Sequence, residues 1–259
     1  MALFEVLDQR LEYRWVGPEP GRAPTIVFLH EGLGCTGTWR DFPDRVARET
    51  GCGALVYSRR GYGASDPVEG PRPVRFMHTE ALEVLPAVLR RFEIEDPILF
   101  GHSDGASIAL VYAGARLGPV RALVLEAPHV FVEEVCLESI ARIATADDAT
   151  ALEERLAKHH GRNTESMFRT WVDVWLRPEF RQWSIREYLP HIESPVLVVQ
   201  GEDDAYGTLD QVAAVITQVG GPAESLVLAG CSHAPHRDRP DEVLDGAGRF
   251  IRRVVEDRR

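Results

Sequence analysis

The chain has 259 residues, which is long enough for one large hydrophobic core or for a core with an inserted segment. Hydrophobic residues make up 44% of it and charged residues 27%, as in an ordinary globular protein. The net charge of −11 argues against a nucleic-acid-binding protein, because phosphate contacts need basic patches.

The sequence shows neither targeting signals nor cysteine pairs. No run approaches the roughly 18 uninterrupted apolar residues of a membrane span, and the first residues lack the basic start and apolar run of a signal peptide. The four cysteines form no CxxC pair, which predicts reduced thiols rather than disulfides or a zinc site; they are Cys35, Cys52, Cys136 and Cys231. We therefore expect a cytoplasmic protein that has no membrane partner.

The first predicted element is an antiparallel hairpin over residues 3–16, where apolar and polar residues alternate on both sides of a turn at residues 8–10. Six later runs are apolar on both faces, which indicates strands covered on both sides and therefore a parallel sheet. These runs are Thr25–His30, Ala54–Ser58, Ile98–Gly101, Ala122–Leu125, Pro195–Gln200 and Leu226–Leu228.

Segments with helical spacing separate the predicted strands. In Glu80–Leu89 one apolar stripe recurs at helical positions, with a kink or a boundary expected at Pro86. Further helices are predicted over Asp104–Arg116, Leu209–Val219 and Asp241–Val255. Strands that alternate with helices predict a doubly wound α/β fold whose mostly parallel sheet has eight strands.

The alternation stops in a helical, charged and tryptophan-containing segment between two of the buried strands. We predict that residues 129–190 form a helical cap, or lid, over one end of the sheet. Residues 1–128 and 191–259 then form the core. The alternative is that the segment is a helical extension of the core.

The strongest motif is Gly101-His102-Ser103-Asp104-Gly105, which follows a buried strand and precedes a helical run. Strand, sharp turn and helix are the context that a G-x-S-x-G nucleophile motif requires. A side chain at either flanking glycine would collide with neighbouring backbone, and the start of the helix favours developing negative charge beside the serine. Ser103 is therefore the candidate nucleophile; the alternative is a serine in an ordinary βα turn.

A serine hydroxyl needs a base in order to attack at neutral pH. His233 and His236 follow the last predicted strand, and their loop can reach the carboxyl edge of the sheet, where Ser103 also lies. We prefer His233 because it comes first after the strand. The candidates for the carboxylate that orients this base are Glu126, Glu202, Asp203 and Asp204.

With these motifs the sequence resembles the α/β-hydrolase family, in its branch with a helical cap, over nearly the whole chain. The order serine, acid, histidine is the order of that family. Gly201–Asp204 resembles its G-x-x-D motif, which implies that Asp204 is the catalytic acid. Pro240, seven residues after His233, is similar to its H-x6-P ending and supports His233 over His236.

Residues 57–66 resemble the family's R-G-x-G-x-S turn, which implies a structural role for Arg59 and Arg60. The segment His30–Gly34, with Trp39 after it, resembles the family's oxyanion loop.

The resemblance implies which backbone groups would form the oxyanion hole. They are the N–H of Gly32, or of Leu33 if Glu31 is an insertion, together with the N–H of Asp104. Glu31 is the largest departure, because a glycine is usual there. Its carboxylate could enter the pocket and bind a cationic group or position water. We favour the alternative that it turns away and pairs with an arginine such as Arg40, because carboxylates are rarely buried without a partner.

Together these residues predict a serine hydrolase that forms an acyl-enzyme on Ser103 and cleaves a small to medium carboxylic ester, thioester or lactone. No metal and no organic cofactor is implied, and the expected partner is a small-molecule substrate. Trp171 and Trp175 are candidate pocket residues; the alternative is that they form the core of the cap. The oligomeric state is left as monomer or homodimer.

Two other functions stay open. Carbon–carbon bond hydrolases of aromatic-ring degradation share the fold and the triad, but they usually carry asparagine and tryptophan where this chain has His102 and Ala234. A ligand-binding, receptor-like protein that retains the triad is an alternative of another class. Epoxide hydrolases and haloalkane dehalogenases are disfavoured, because both use an aspartate nucleophile where this chain has Ser103.

Overall fold

The computed structural model describes residues 2–257, without the side chains of residues 146–148. One sheet of eight strands lies at its centre, in the order β1-β2-β4-β3-β5-β6-β7-β8. The strands are β1 (Ala2–Val6), β2 (Gln9–Val16), β3 (Thr25–Leu29), β4 (Gly53–Tyr57), β5 (Ile98–His102), β6 (Ala122–Glu126), β7 (Val196–Gly201) and β8 (Ala223–Leu228). The β1–β2 and β2–β4 pairs are antiparallel, and every other pair is parallel. The predicted doubly wound, mostly parallel sheet is confirmed.

Helices cover both faces of this sheet. They are α1 (Phe42–Thr50), α2 (Phe76–Thr79), α3 (Leu85–Arg91), α4 (Asp104–Gly114), α5 (Glu134–Ile143), α6 (Ala146–His160), α7 (Thr164–Trp175), α8 (Leu209–Gln218), α9 (Pro235–Asp238) and α10 (Pro240–Glu256). The helix predicted over Glu80–Leu89 is part of a longer helical segment. A π turn at Glu80–Val84 joins α2 to α3, so the segment runs from Phe76 to Arg91. Pro86 has no N–H to donate, and this wider turn directly precedes it. None of the described helices is both long enough and apolar enough to cross a bilayer.

Two hydrophobic clusters lie on opposite faces of the sheet. In β3, Val27 and Leu29 face the cluster that includes α3, α4 and α8, whereas Ile26 and Phe28 face the cluster with α1 and α10. Successive side chains of a strand point to opposite faces. Because both faces are covered, the central strands are apolar at most positions on both faces, with polar residues such as His102 and Glu126 at their carboxyl ends.

The segment between β6 and β7 is helical, as predicted, and its parts pack differently. Trp175, Phe180 and Trp183 belong to the same hydrophobic cluster as α4. Residues of α6 and α7 pack instead on Cys35 and Tyr62, in the loops that follow β3 and β4. The helices α6 and α7 therefore cover loops at the carboxyl edge of the sheet. The boundaries of a cap at residues 129–190 stay a prediction.

Candidate active site

Ser103 occupies a sharp turn between β5 and α4. Its backbone has φ +53° and ψ −119°, a conformation that L-residues rarely adopt and that is typically held by the surrounding structure at functional sites. A Cβ at Gly101 would lie 2.5 Å from the carbonyl oxygen of Gly105, and one at Gly105 would overlap the carbonyl of Leu29. Both glycines are required, as the sequence predicts, because the helix begins directly against the ends of β5 and β3.

Three side chains that are far apart in the sequence meet at this turn. The Oγ–H of Ser103 donates to Nε2 of His233 at 3.0 Å. The Nδ1–H of His233 donates to the two carboxylate oxygens of Asp204 at 2.8 and 2.9 Å. Ser103 follows β5, Asp204 follows β7 and His233 follows β8. They meet because parallel strands end at the same edge of the sheet.

Asp204 also accepts hydrogen bonds from groups other than His233. Its carboxylate accepts them from Nε2 of Gln200 at 2.6 Å and from the N–H of Tyr206 at 2.8 Å. Burial alone would raise the pKa of Asp204, but the positive charge and hydrogen bond of His233, with the N–H of Tyr206, hold that pKa below its usual value. Asp204 is therefore an anion at neutral pH, and of the four acids considered it is the one in contact with His233.

The second candidate histidine, His236, contacts a different acid. Its Nδ1–H donates to Oε2 of Glu126 at 2.6 Å, and both side chains are buried. Among the described residues, the one group of side chains whose ligand atoms lie close enough to share a metal ion is His102, Glu126 and His236, within 4.8 Å of one another. Because the hydrogen bond already joins two of the three, we interpret the group as a buried hydrogen-bonded cluster.

The loop that contains Gly32 lies on the other side of Ser103. Gly32, Leu33 and Asp104 all line the same cavity as Ser103, and within residues 2–257 their backbone N–H groups form no hydrogen bond. Unpaired N–H groups beside a nucleophile are what an oxyanion hole requires.

Arg59 supports this loop from behind. Its side chain is 1% exposed, and it donates to the carbonyl oxygens of His30 at 2.5 Å and of Glu31 at 3.1 Å. Because the peptide group is planar and trans, a carbonyl of Glu31 that points to Arg59 turns the N–H of Gly32 the opposite way. A structural role for Arg59 was the expectation, and these contacts agree with it.

The expectation that Glu31 pairs with an arginine is confirmed, but the arginine is Arg237, and the expectation that the carboxylate turns away from the pocket is wrong. The carboxylate does not turn away to Arg40; it lines the cavity, accepts from Nη2 of Arg237 at 3.3 Å and lies 3.5 Å from Nδ1 of His102. The cause is a tight turn at residues 31–34, in which the side chain folds back over Gly34, where a Cβ would overlap it.

This contact changes the pKa of both partners. Burial alone would raise the pKa of Glu31, but the contact with His102, and then the charge of Arg237, hold it well below its usual value. Burial alone would lower the pKa of His102, but Glu31 raises it. Each of the two side chains therefore favours the charged form of the other, directly beside the nucleophile turn.

The cavity above Ser103 has a volume of about 270 Å³. Its inner wall is mostly apolar. The buried residues of this wall are His129, Cys136, Ile140, Trp171 and Trp175, and Tyr206 is partly buried. The outer wall of the cavity carries positive charges, from Arg40, Arg155, Lys158 and Arg237, and also includes His159. Trp171 and Trp175 thus lie where the sequence placed candidate pocket residues.

His129 is a lining residue that the sequence analysis missed. Its ring lies 5.7 Å from that of His233 and 5.1 Å from that of Trp175, measured between centroids. Burial, with the nearby charge of His233, lowers the pKa of His129 to about 3, so its ring is neutral. The rule that found His233 would have found it, since it follows the buried strand β6.

Comparisons with known proteins agree with this architecture. A family model described as the alpha/beta hydrolase family matches residues 26–246. A search of curated proteins finds no match. Similar solved structures include the esterase RhEst1 from Rhodococcus sp. ECU1013, at 20% identity and a TM-score of 0.73, covering 97% of this chain and 98% of that one. The enol-lactonase from Burkholderia xenovorans LB400 has 18% identity and a TM-score of 0.72, covering 96% of this chain and 99% of its own.

A third structure comes from work on carboxylesterases of Nitrososphaera gargenis, at 18% identity and a TM-score of 0.80, covering 99% of this chain and all 100% of that one. At these identities the structural likeness shows the fold alone. The family model covers most of the chain, and it confirms the prediction of a hydrolase. The chain belongs to the alpha/beta hydrolase family.

Proposed function

We propose that the protein is a serine hydrolase that cleaves a small to medium carboxylic ester, thioester or lactone. The observation that supports this most directly is the unbroken chain of hydrogen bonds from Oγ of Ser103 through His233 to Asp204. A nucleophile in contact with a base, and a base oriented by a third group, is the arrangement that activates a hydroxyl.

In the first half of the reaction, Nε2 of His233 takes the proton of Ser103 while Oγ attacks the substrate carbonyl. The N–H of Asp104 and an N–H of the Gly32–Leu33 loop stabilise the resulting oxyanion. His233 then gives its proton to the leaving oxygen or sulfur as the bond to the acyl carbon breaks. Asp204 stabilises the imidazolium that forms between the two transfers.

In the second half, water attacks the acyl group on Ser103, again with His233 as the base, and the acid is released. The chemistry uses only the side chains and N–H groups of this chain, so the proposed reaction needs no metal and no organic cofactor. Two of the similar structures are an esterase and an enol-lactonase, which is in keeping with ester and lactone substrates.

The volume of the cavity is consistent with a small to medium substrate. A volume of about 270 Å³ lies near the lower end of ordinary small-molecule pockets. We also propose that residues 129–190 act as the cap of this site, because α5, α6 and α7 contribute Cys136, Leu156 and Trp171 to its wall.

The test is hydrolysis of p-nitrophenyl butyrate together with labelling by a fluorophosphonate. The wild-type protein should turn over the ester and take up one label, and Ser103→Ala should lose both. Ser225→Ala is the matched control, because Ser225 lies exposed on β8 outside the cavity. Turnover that survives in Ser103→Ala, or a folded wild-type protein that takes up no label, would refute the serine mechanism.

A further inference from the structure

The outer wall of the cavity concentrates positive charge in an acidic protein. We call Arg40, Arg155, Lys158 and Arg237 the cationic rim; all four line the same cavity as Ser103, as does His159. The chain as a whole carries a net charge of −11. Among the residues whose side chains the structure describes, two acids line this cavity: Glu31, which already contacts His102 and Arg237, and Asp104, whose pKa is raised by burial.

The positive charges of the rim are mostly not neutralised by the protein. Within the described part of the chain, no carboxylate lies within 4.0 Å of the charged groups of Arg40, Arg155 or Lys158. Elsewhere, surface arginines such as Arg181 and Arg249 pair with acids. The rim is therefore a place where an external anion can supply the missing charge.

The rim is formed by residues from two separate parts of the chain that line the same cavity. Arg155, Lys158 and His159 are spaced i, i+3 and i+4 on α6, which places them on one face of that helix. Arg40 and Arg237 belong to the core, in the loop before α1 and in α9. Burial, and then the charges of Lys158, Arg237 and Arg40, lower the pKa of His159, so the groups of the two parts interact electrostatically.

Like charges that line one cavity repel each other, and a bound anion reduces the repulsion. The inner wall favours an apolar part of the ligand, because it is formed by buried residues such as Cys136, Ile140 and Trp175. A molecule that satisfies both walls has an apolar part inside and an anionic group at the opening.

We propose that the cationic rim binds an anionic group, a carboxylate or a phosphate, on the part of the substrate that projects away from the inner wall. This inference rests on the proposed function, since it names the class of ester that the same site would cleave. Arg155 and Lys158 would act as specificity-determining residues that touch the substrate, while Ser103, His233 and Asp204 do the chemistry.

The test compares charged esters with neutral partners of the same shape. For charge on the alcohol side the pair is 4-acetoxybenzoate and its methyl ester, and for charge on the acyl side it is monophenyl glutarate and its methyl ester. A third probe, 4-phosphonooxyphenyl acetate, separates phosphate from carboxylate. The readout is the ratio of kcat/KM for the charged ester to that for the neutral ester, at about 10 mM and about 1 M NaCl, where the screening length falls from about 30 Å to about 3 Å.

The charged member of at least one pair should be favoured about tenfold at low salt, and the preference should largely disappear at high salt. The double variant Arg155→Gln/Lys158→Gln should lower the ratio by about tenfold. Arg48→Gln, an exposed arginine of α1 that does not line the cavity, is the matched control and should keep the ratio.

Failure of this inference is distinguishable from failure of the proposed function. If no ester is cleaved through Ser103, the proposed function is wrong. If neutral esters are cleaved through Ser103 while every charged probe shows a ratio of one or less, the rim does not select anions. A preference for the charged ester that the double variant leaves unchanged would also overturn the role of the rim.

Discussion

The carboxylate of Glu31 lies 3.5 Å from Nδ1 of His102, the residue directly before Ser103. The other nitrogen of that ring, Nε2, donates its proton to the carbonyl oxygen of His233 at 2.7 Å. One imidazole ring thus connects the Gly32 loop, the nucleophile turn and the loop of the candidate base. The acid that stands where a glycine is usual supplies the charge that raises the pKa of this ring.

Glu31→Gln removes that charge and should weaken the whole arrangement. His102 is 2% exposed, and a buried cation that loses its partner typically costs about 3–5 kcal/mol in the free energy of unfolding. We expect a loss near the lower figure, together with a lower kcat, in urea denaturation and ester hydrolysis. Glu69→Gln, at an exposed position, is the control; equal stability of the two variants would contradict the importance of the pair.

The effect of Glu31→Gln should depend on pH. The pKa of His102 is raised in the folded state, so its stabilisation is present at low pH and is lost as the pH rises through that raised pKa. The pKa of Glu31 is lowered, so its stabilisation is lost as the pH falls through that lowered value. The stability difference between wild type and variant should therefore be largest between the two pKa values and shrink on both sides. Urea denaturation across pH measures it, and a difference that stays constant would exclude the ion pair as its source.

Asp204→Asn should reduce kcat far more than Asp203→Asn. Asp204 accepts the Nδ1–H of His233, whereas the Asp203 side chain is exposed and only its backbone N–H donates to the carbonyl of Cys231. Loss of the orienting carboxylate in a triad lowers kcat by about 10⁴-fold. Steady-state hydrolysis of a p-nitrophenyl ester gives both values, and similar losses in the two variants would reassign the acid.

His236→Ala should lower stability rather than catalysis. The substitution leaves Glu126 buried without its 2.6 Å donor, and an unpaired buried polar group typically costs about 1–3 kcal/mol, more when charged. His236→Asn, which keeps a donor near the position of Nδ1, should lose less. Thermal unfolding and activity at low temperature separate the two effects. A stable but inactive His236→Ala protein would move the role of base away from His233.

Trp171→Phe should reduce kcat/KM by about tenfold, the effect of one lost hydrogen bond. The indole N–H of Trp171 is buried in the cavity wall without a partner within the described residues, and it lies against Gly32. We expect it to donate to a substrate oxygen. Trp183→Phe is the control, because Trp183 is equally buried, at 6%, but does not line the cavity. Equal effects of the two variants would leave only a packing role for Trp171.

Local sequence was enough to place the eight strands and the turn at Ser103. Runs such as Ile98–Gly101 are apolar on both faces only because helices cover both faces, and Gly101 and Gly105 are required by contacts within a few residues or with the adjacent strand. These signals depend on residues that are close together in the sequence, so they can be recognised from one sequence alone. The position of His233 after a strand also follows from strand order, because the ends of parallel strands meet at one edge.

The folded structure determines which residues the charged side chains contact. Nothing local to Glu31 indicates that its carboxylate meets His102 and Arg237, residues that are 71 and 206 positions away in the chain. Three acids stand together at residues 202–204, and contact with His233 singles out Asp204. The cationic rim likewise exists only because the fold brings α6 and Arg40 to the same cavity. Long-range electrostatic contacts depend on how distant loops are brought together, and that information resides in the packing of the whole chain.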